Sequence, residues 1–210
     1  YECISREIIL EASEEFNVPE IKLIRAIYDA PGLLDRLSYE KYQYIAYVQT
    51  ALLKHFRQDN LVYHGLAGNF LVKDISHVLK VRIIADIEER VKLEVEREEI
   101  TRSEALDLLE KDDEERRKWS QYLYGIDTWD PSLYDLLVHI HKMTVNDAVD
   151  IICHTAALKR FKATPESKAA MEDLVLTAEV KTALMGLGHG IKVFSQDGVI
   201  FISSEATPQQ

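Results

Sequence analysis

The sequence predicts an α/β domain built on a parallel sheet, followed by a small α+β appendage. Through the first 158 residues, short apolar runs alternate with helical stripes, the pattern of strands joined by crossover helices. After residue 165 the pattern changes to one helix and two short strands joined by Gln196-Asp197-Gly198, a hairpin signal. The chain's 210 residues are enough to bury a core without disulfides or a structural metal.

The elements follow in order. Tyr1-Glu2-Cys3-Ile4 reads as a short strand. Ile8, Ile9, Ala12 and Phe16 give a helical stripe over 7–16, with Ser5 as its cap and Asn17-Val18-Pro19 as its end. Ile21, Leu23, Ile24 and Ile27 repeat the stripe over 20–28, and Ala30-Pro31-Gly32 breaks it. Ser38 is placed to cap a long helix from Tyr39 to about Phe56. Its Tyr-rich start, 39–47, serves packing, with an interaction surface as the alternative. The runs at 60–65 and 78–84 suit strands buried on both faces. Residues 86–98 and 103–120 read as charged helices, 133–140 as another apolar run and 145–158 as a helix. The expected division is a domain over 1–158, a linker over 159–165 and a module over 166–210.

Charge and cysteines narrow the function. With 36 acidic against 25 basic residues, the net charge of −11 argues against a general binder of nucleic acid or anionic lipid. No run approaches 18 apolar residues, so no membrane span is expected. Cys3 and Cys153 lack metal or redox spacing and read as buried thiols of a cytoplasmic protein.

No Walker A pattern is present. Gly186-Leu187-Gly188-His189-Gly190 lies between a helix and a strand, the reverse of a dinucleotide loop, and reads as a helix stop. His139-Ile140-His141 places two imidazoles on one strand face, but no third ligand stands at a defensible spacing, so no metal site is expected. His64 before Gly65 marks a strand end, where α/β proteins hold ligands; a plain turn explains the glycine equally well. The richest segment runs from Glu88 to Lys118. Glu88–Lys92, Glu98–Arg102, Asp112–Arg116, Asp113–Arg117 and Glu114–Lys118 all stand at i,i+4 with the acid first. It reads as a solvated helical hairpin, or as a flap whose Arg97, Lys111, Arg116 and Arg117 close on phosphates. In the second case the neighbouring acids hold the cations until an anion displaces them.

From Asn60 to about Ile152 the order of motifs resembles the cytidylate-kinase-like branch of the nucleoside monophosphate kinases. The resemblance is carried by Leu61-Val62-Tyr63-His64-Gly65, Val81-Arg82-Ile83-Ile84-Ala85-Asp86, Lys111-Asp112-Asp113-Glu114-Glu115-Arg116-Arg117, Asp130-Pro131-Ser132-Leu133-Tyr134-Asp135-Leu136 and Met143-Thr144 before an acidic helix. It implies a three-layer parallel sheet of P-loop kinase type, whose first strand and phosphate loop would precede Tyr1. It further implies ATP and Mg2+, with the ATP γ-phosphoryl group passed to CMP or a related nucleotide. A non-catalytic, nucleotide-responsive module on the same fold is the alternative. By position Arg6 would face the acceptor, with His64 and Gly65 beside it, and Lys111, Asp112, Arg116 and Arg117 would belong to the lid. Leu66 stands where the family commonly has an arginine on the acceptor phosphate. The tail resembles the first half of a BON module through Met171-Glu172-Asp173-Leu174, Val180-Lys181-Thr182-Ala183-Leu184, Ile191-Lys192-Val193 and Asp197-Gly198-Val199-Ile200. That likeness implies docking or homo-oligomer formation through the tail.

Overall fold

A computed structural model describes residues 1–28, 39–65, 68–187 and 190–204. The expected break at Ala30-Pro31-Gly32, the cap at Ser38, and Leu66, Gly188 and His189 lie outside the described residues. Along the chain run β1 (Glu2–Ile4), α1 (Glu7–Phe16), α2 (Glu20–Tyr28), α3 (Tyr39–Phe56), β2 (Leu61–Tyr63) and α4 (Gly68–Leu71). Then come β3 (Val81–Ala85), α5 (Ile87–Glu98), α6 (Arg102–Tyr124), β4 (Leu136–Ile140) and α7 (Val145–Ala156). The last elements are α8 (Pro165–Leu184), β5 (Ile191–Gln196) and β6 (Val199–Ser204). The protein is thus mixed α/β and predominantly helical. It divides into two compact units, one of Tyr1–Ile75 with the chain from Ala163 onward, the other of Ser76–Lys162.

In the first unit β1 and β2 pair in parallel, with Cys3 opposite Val62. Parallel partners cannot be joined by a tight turn, so the connection carries helices. Ile8, Ile9 and Ala12 of α1, Leu23 of α2 and Val48, Ala51 and Leu52 of α3 meet Ile4 in one core. The i,i+4 pairs Ile8–Ala12 and Val48–Leu52 put those side chains on single helix faces. Phe16 stacks on Tyr47 at 4.2 Å between ring centroids, so the Tyr-rich segment contributes packing. Asn17 ends α1 in the left-handed conformation that Asn tolerates. The cap position of α1 is Arg6 rather than Ser5; Ser5 lies one residue too early, and its N–H donates to Glu7 Oε1 at 2.8 Å.

The tail packs into this same unit. Against α3 and the turn that follows it, α8 is held by a buried Thr50–Thr182 hydroxyl pair at 2.8 Å, by Arg57–Glu172 at 3.0 Å and by Lys168–Asp59 at 2.6 Å. Residues 159–165 are not an open linker throughout: Lys159–Phe161 forms a 3-10 turn, and Thr164 caps α8 in a reciprocal box with Ser167. Asp197 and Gly198 both take positive φ, 53° and 75°, as a two-residue hairpin requires. The Asp173 carboxylate on α8 ties the turn down, accepting from Asp197 N–H at 2.7 Å, Gly198 N–H at 2.8 Å and Ser195 Oγ at 2.9 Å.

In the second unit β3 and β4 pair in parallel, with Ile83 opposite Val138. Glu99, at φ 55°, ends α5, and the Thr101–Glu104 capping box starts α6. The helices are cross-linked by Arg90–Asp113, bidentate at 2.6 and 3.0 Å, and by Arg102–Glu88 at 2.6 Å. The core holds Val91, Ala105, Trp119, Val138 and Ala148.

Two expectations fail here. The strands at 60–65 and 78–84 are not buried on both faces: Val62 is 48% and Ile83 55% exposed, because side chains alternate between the two faces and these point to the open one. Cys3 and Cys153 are exposed rather than buried, since each lies on the open side of its element.

Leu23 is fully enclosed, so Leu23→Ala should lower stability by about 2–5 kcal/mol in urea melts. Asp173→Ala should speed amide exchange at Asp197 and Gly198 while leaving α8 protected.

Candidate functional site

In the first unit, the carboxyl ends of β1 and β2 bring Ser5, Arg6, His64 and Gly65 together. His64 N–H donates to the Ile4 carbonyl at 3.2 Å, continuing the ladder, and its Nδ1 lies 3.4 Å from Ser5 Oγ. Arg6 is exposed beside them. The backbone N–H groups of Glu7 and Ser5 hold the Glu7 carboxyl below its usual range, with a smaller contribution from His64. Gly65 has a steric reason of its own: a Cβ there would run into the Tyr63 hydroxyl. The Tyr63 ring meets Phe56 edge-on at 5.6 Å. This end therefore offers an arginine and an imidazole on a glycine turn.

In the second unit, the carboxyl ends of β3 and β4 join Asp86 to the His139–His141 pair. Asp86 Oδ1 lies 3.0 Å from His139 Nε2, and Oδ2 lies 2.8 Å from His141 Nδ1. Asp86 is the partner that sequence spacing could not find, because it is 53 residues from His139. Its carboxylate joins both imidazoles to the start of α5. Among the described residues, no group of three His, Cys, Asp or Glu side chains could hold a metal ion.

The charged hairpin carries the remaining candidates. Lys111 lies 3.9 Å from Glu115 and Arg116 3.8 Å from Asp112, loose pairs on the open face of α6. Arg117 is held differently. It grips Asp127 through Nε at 3.0 Å and Nη2 at 2.6 Å, and its guanidinium lies 4.7 Å from the centroid of Trp129. Asp127 also accepts from Trp129 N–H at 3.0 Å. The loop behind them is anchored by Arg82, which donates to the Thr128 carbonyl and lies over Tyr134 at 5.6 Å. The expected Asp113–Arg117 pair is absent, because Asp113 serves Arg90 of α5. Arg97 is occupied by Glu94 and Glu98. Beside the hairpin, the residues missed from sequence are Asp127 and Trp129. An aspartate and a tryptophan at the second and fourth positions after the helix-ending Gly125 are the signal that could have flagged them.

The Arg117 guanidinium, followed by the Trp129 amide, holds the Asp127 carboxyl below its ordinary value of 3.8; Asp127 in turn raises the pKa of Arg117. A depressed folded pKa means the contact is fully present above the unfolded value and is lost as pH falls through the folded one. The contact should therefore persist to below pH 3.8, with an acid-induced change in Trp129 emission only beneath that point.

The sequence profile of the Cytidylate kinase-like family matches residues 1–142. A cytidylate kinase of Sulfolobus acidocaldarius is 26% identical over 146 residues, 69% of this chain and 74% of that protein. One of Thermococcus kodakarensis is 35% identical over 83 residues, 40% of this chain and 42% of that protein. One of Methanosarcina acetivorans is 33% identical over 98 residues, 45% and 53% of the two chains. With the last two, the chain thus shares about half their length. The crystal structure of an uncharacterized protein from Eubacterium ventriosum is similar in fold, with a TM-score of 0.50 and 18% identity, covering 74% of this chain and 97% of that one. The profile match takes in both strand pairs and the charged hairpin, and by it the chain belongs to the cytidylate kinase-like family.

Proposed function

We propose that this is a nucleoside monophosphate kinase-like domain that transfers the ATP γ-phosphoryl group to CMP or a related nucleotide. One observation carries the reading: the family match over 1–142 includes the Arg6–His64 strand ends and the hairpin bearing Lys111, Arg116 and Arg117. The finer fold proposed with it is a three-layer parallel sheet of P-loop kinase type. The helix-then-hairpin order after Ala163 fits a BON-like docking module.

In this reading Arg6 and His64 bind the acceptor monophosphate, with Gly65 beside them leaving room for the Tyr63 ring. An acceptor phosphate oxygen attacks the γ-phosphorus, and the bond to the ADP oxygen breaks. Negative charge spreads over the transferred oxygens, and positioned cations lower the barrier by meeting it. Lys111, Arg116 and Arg117 have that chemistry, with Asp112 orienting Arg116. Mg2+ would neutralise charge between the nucleotide phosphates. Such an ion is commonly held by phosphates and water with only one or two carboxylates, so a protein cage of three ligands is not required.

Calorimetric titration with CMP and, separately, Mg-ATP tests the binding half; a folded sample that binds neither would refute it. Arg116→Ala and Arg117→Ala in the full-length protein should each lower turnover about 100-fold with melting unchanged. Full turnover in both variants would remove the hairpin from the chemistry.

A second reading, a nucleotide-responsive module without catalysis, is favoured by Leu66. Leucine offers no donor to a phosphate. Leu66→Arg should tighten CMP binding about tenfold if a lost contact is being restored.

A further inference from the structure

Arg117 differs from the other hairpin cations in pairing with the loop that follows the hairpin, whereas Arg90 and Arg102 pair across its two helices. Lys111 and Arg116 have carboxylates near 4 Å, one helical turn away. Arg90 has a bidentate partner, but that pair is 29% and 31% exposed and fastens α5 to α6. The Arg117–Asp127 pair has the same bidentate form with 47% and 38% of its side chains exposed, and it closes no helix–helix contact. It joins the exposed face of α6 to a loop fixed independently by Arg82, Tyr134 and the Asp130 turn. Trp129 supplies a flat face for the guanidinium.

We infer that Asp127 is a positioning residue for phosphate capture: it stores Arg117, with Trp129 beneath it, and gives it up to an incoming polyphosphate. The inference rests on the proposal that this hairpin's ligands are phosphates. An exposed ion pair is weak, so the hold is easily exchanged. A phosphate presents the same two-oxygen geometry with more charge, and guanidinium pairs bidentately with either anion. When Arg117 leaves, Asp127 keeps the Trp129 amide at 3.0 Å, and the Arg82 charge remains nearby. The acid is therefore not stranded, and the loop keeps its shape. Arg117 is held in one place between encounters instead of sampling solvent, and the cost is competition for its guanidinium.

The test is a double-mutant cycle read by calorimetry with inorganic tripolyphosphate, on the full chain. Asp127→Asn retains an oxygen for the Trp129 amide and loses the charge. It should bind tripolyphosphate about threefold tighter than wild type, the size set by releasing one exposed pair. Asp127→Ser, which also keeps an acceptor, should show the same gain, and Asp127→Glu should not. Arg117→Ala should bind more weakly, and adding Asp127→Asn to it should restore nothing. The same gain in the Arg117→Ala background would overturn the inference, because removing any acid nearby would then explain it. Equal binding by wild type, Asp127→Asn and Asp127→Ser would overturn it too, leaving phosphate binding by the hairpin intact. No binding by any variant would overturn both the inference and the phosphate reading of this hairpin.

Discussion

Parallel strand pairing is the constraint on which each unit depends. A parallel partner runs in the same direction, so the chain must travel back before it can pair again. In the first unit the return is made by α1, α2 and α3, and in the second by α5 and α6. The pairing also gathers both carboxyl ends at one edge of each pair. That places Ser5 against His64, and Asp86 against His139 and His141, across separations that no local motif spans. The candidate chemistry therefore follows from the pairing before any particular side chain is considered.

On the proposed reading, an acidic chain that handles phosphates must keep its cations available without leaving them free. Here the basic groups of the hairpin are held by carboxylates in two distinct ways. Pairs that join elements, such as Arg90–Asp113 and Arg102–Glu88, hold the hairpin in shape. Pairs on the open face of α6, such as Lys111–Glu115 and Arg116–Asp112, link residues of one helix and constrain little else. Because exposed pairs contribute little to stability, exchanging their partners costs little. One helix can thus be rigid in its backbone and adaptable in its charges.

Local sequence determined much of this protein. The bounds of α1, α2 and α3 follow from apolar stripes at i, i+3 and i+4, because one face of each must be buried and the residues alone fix that face. The Asp-Gly turn of the final hairpin follows from the φ > 0 conformations that those residues tolerate. The acid-before-base pairs Asp112–Arg116 and Glu114–Lys118 form as spaced, since both members lie on one unbroken helix. Family membership was also legible, because motif order over some 90 residues survives in the bare sequence.

Tertiary structure decided the rest. Glu98–Arg102 has the right spacing and does not form, because the chain breaks at Glu99 and puts the two on different helices. Asp113 turns to Arg90 instead of Arg117, and Arg117 finds Asp127 beyond the end of its helix. His139 and His141 acquire Asp86 only through strand pairing. Spacing along a chain fixes which groups share a helix face, and nothing in it fixes which distant carboxylate comes nearest when two elements pack. For that reason the elements were readable from the residues, whereas the partners of the charged groups, and with them the character of the candidate site, emerged only from the fold.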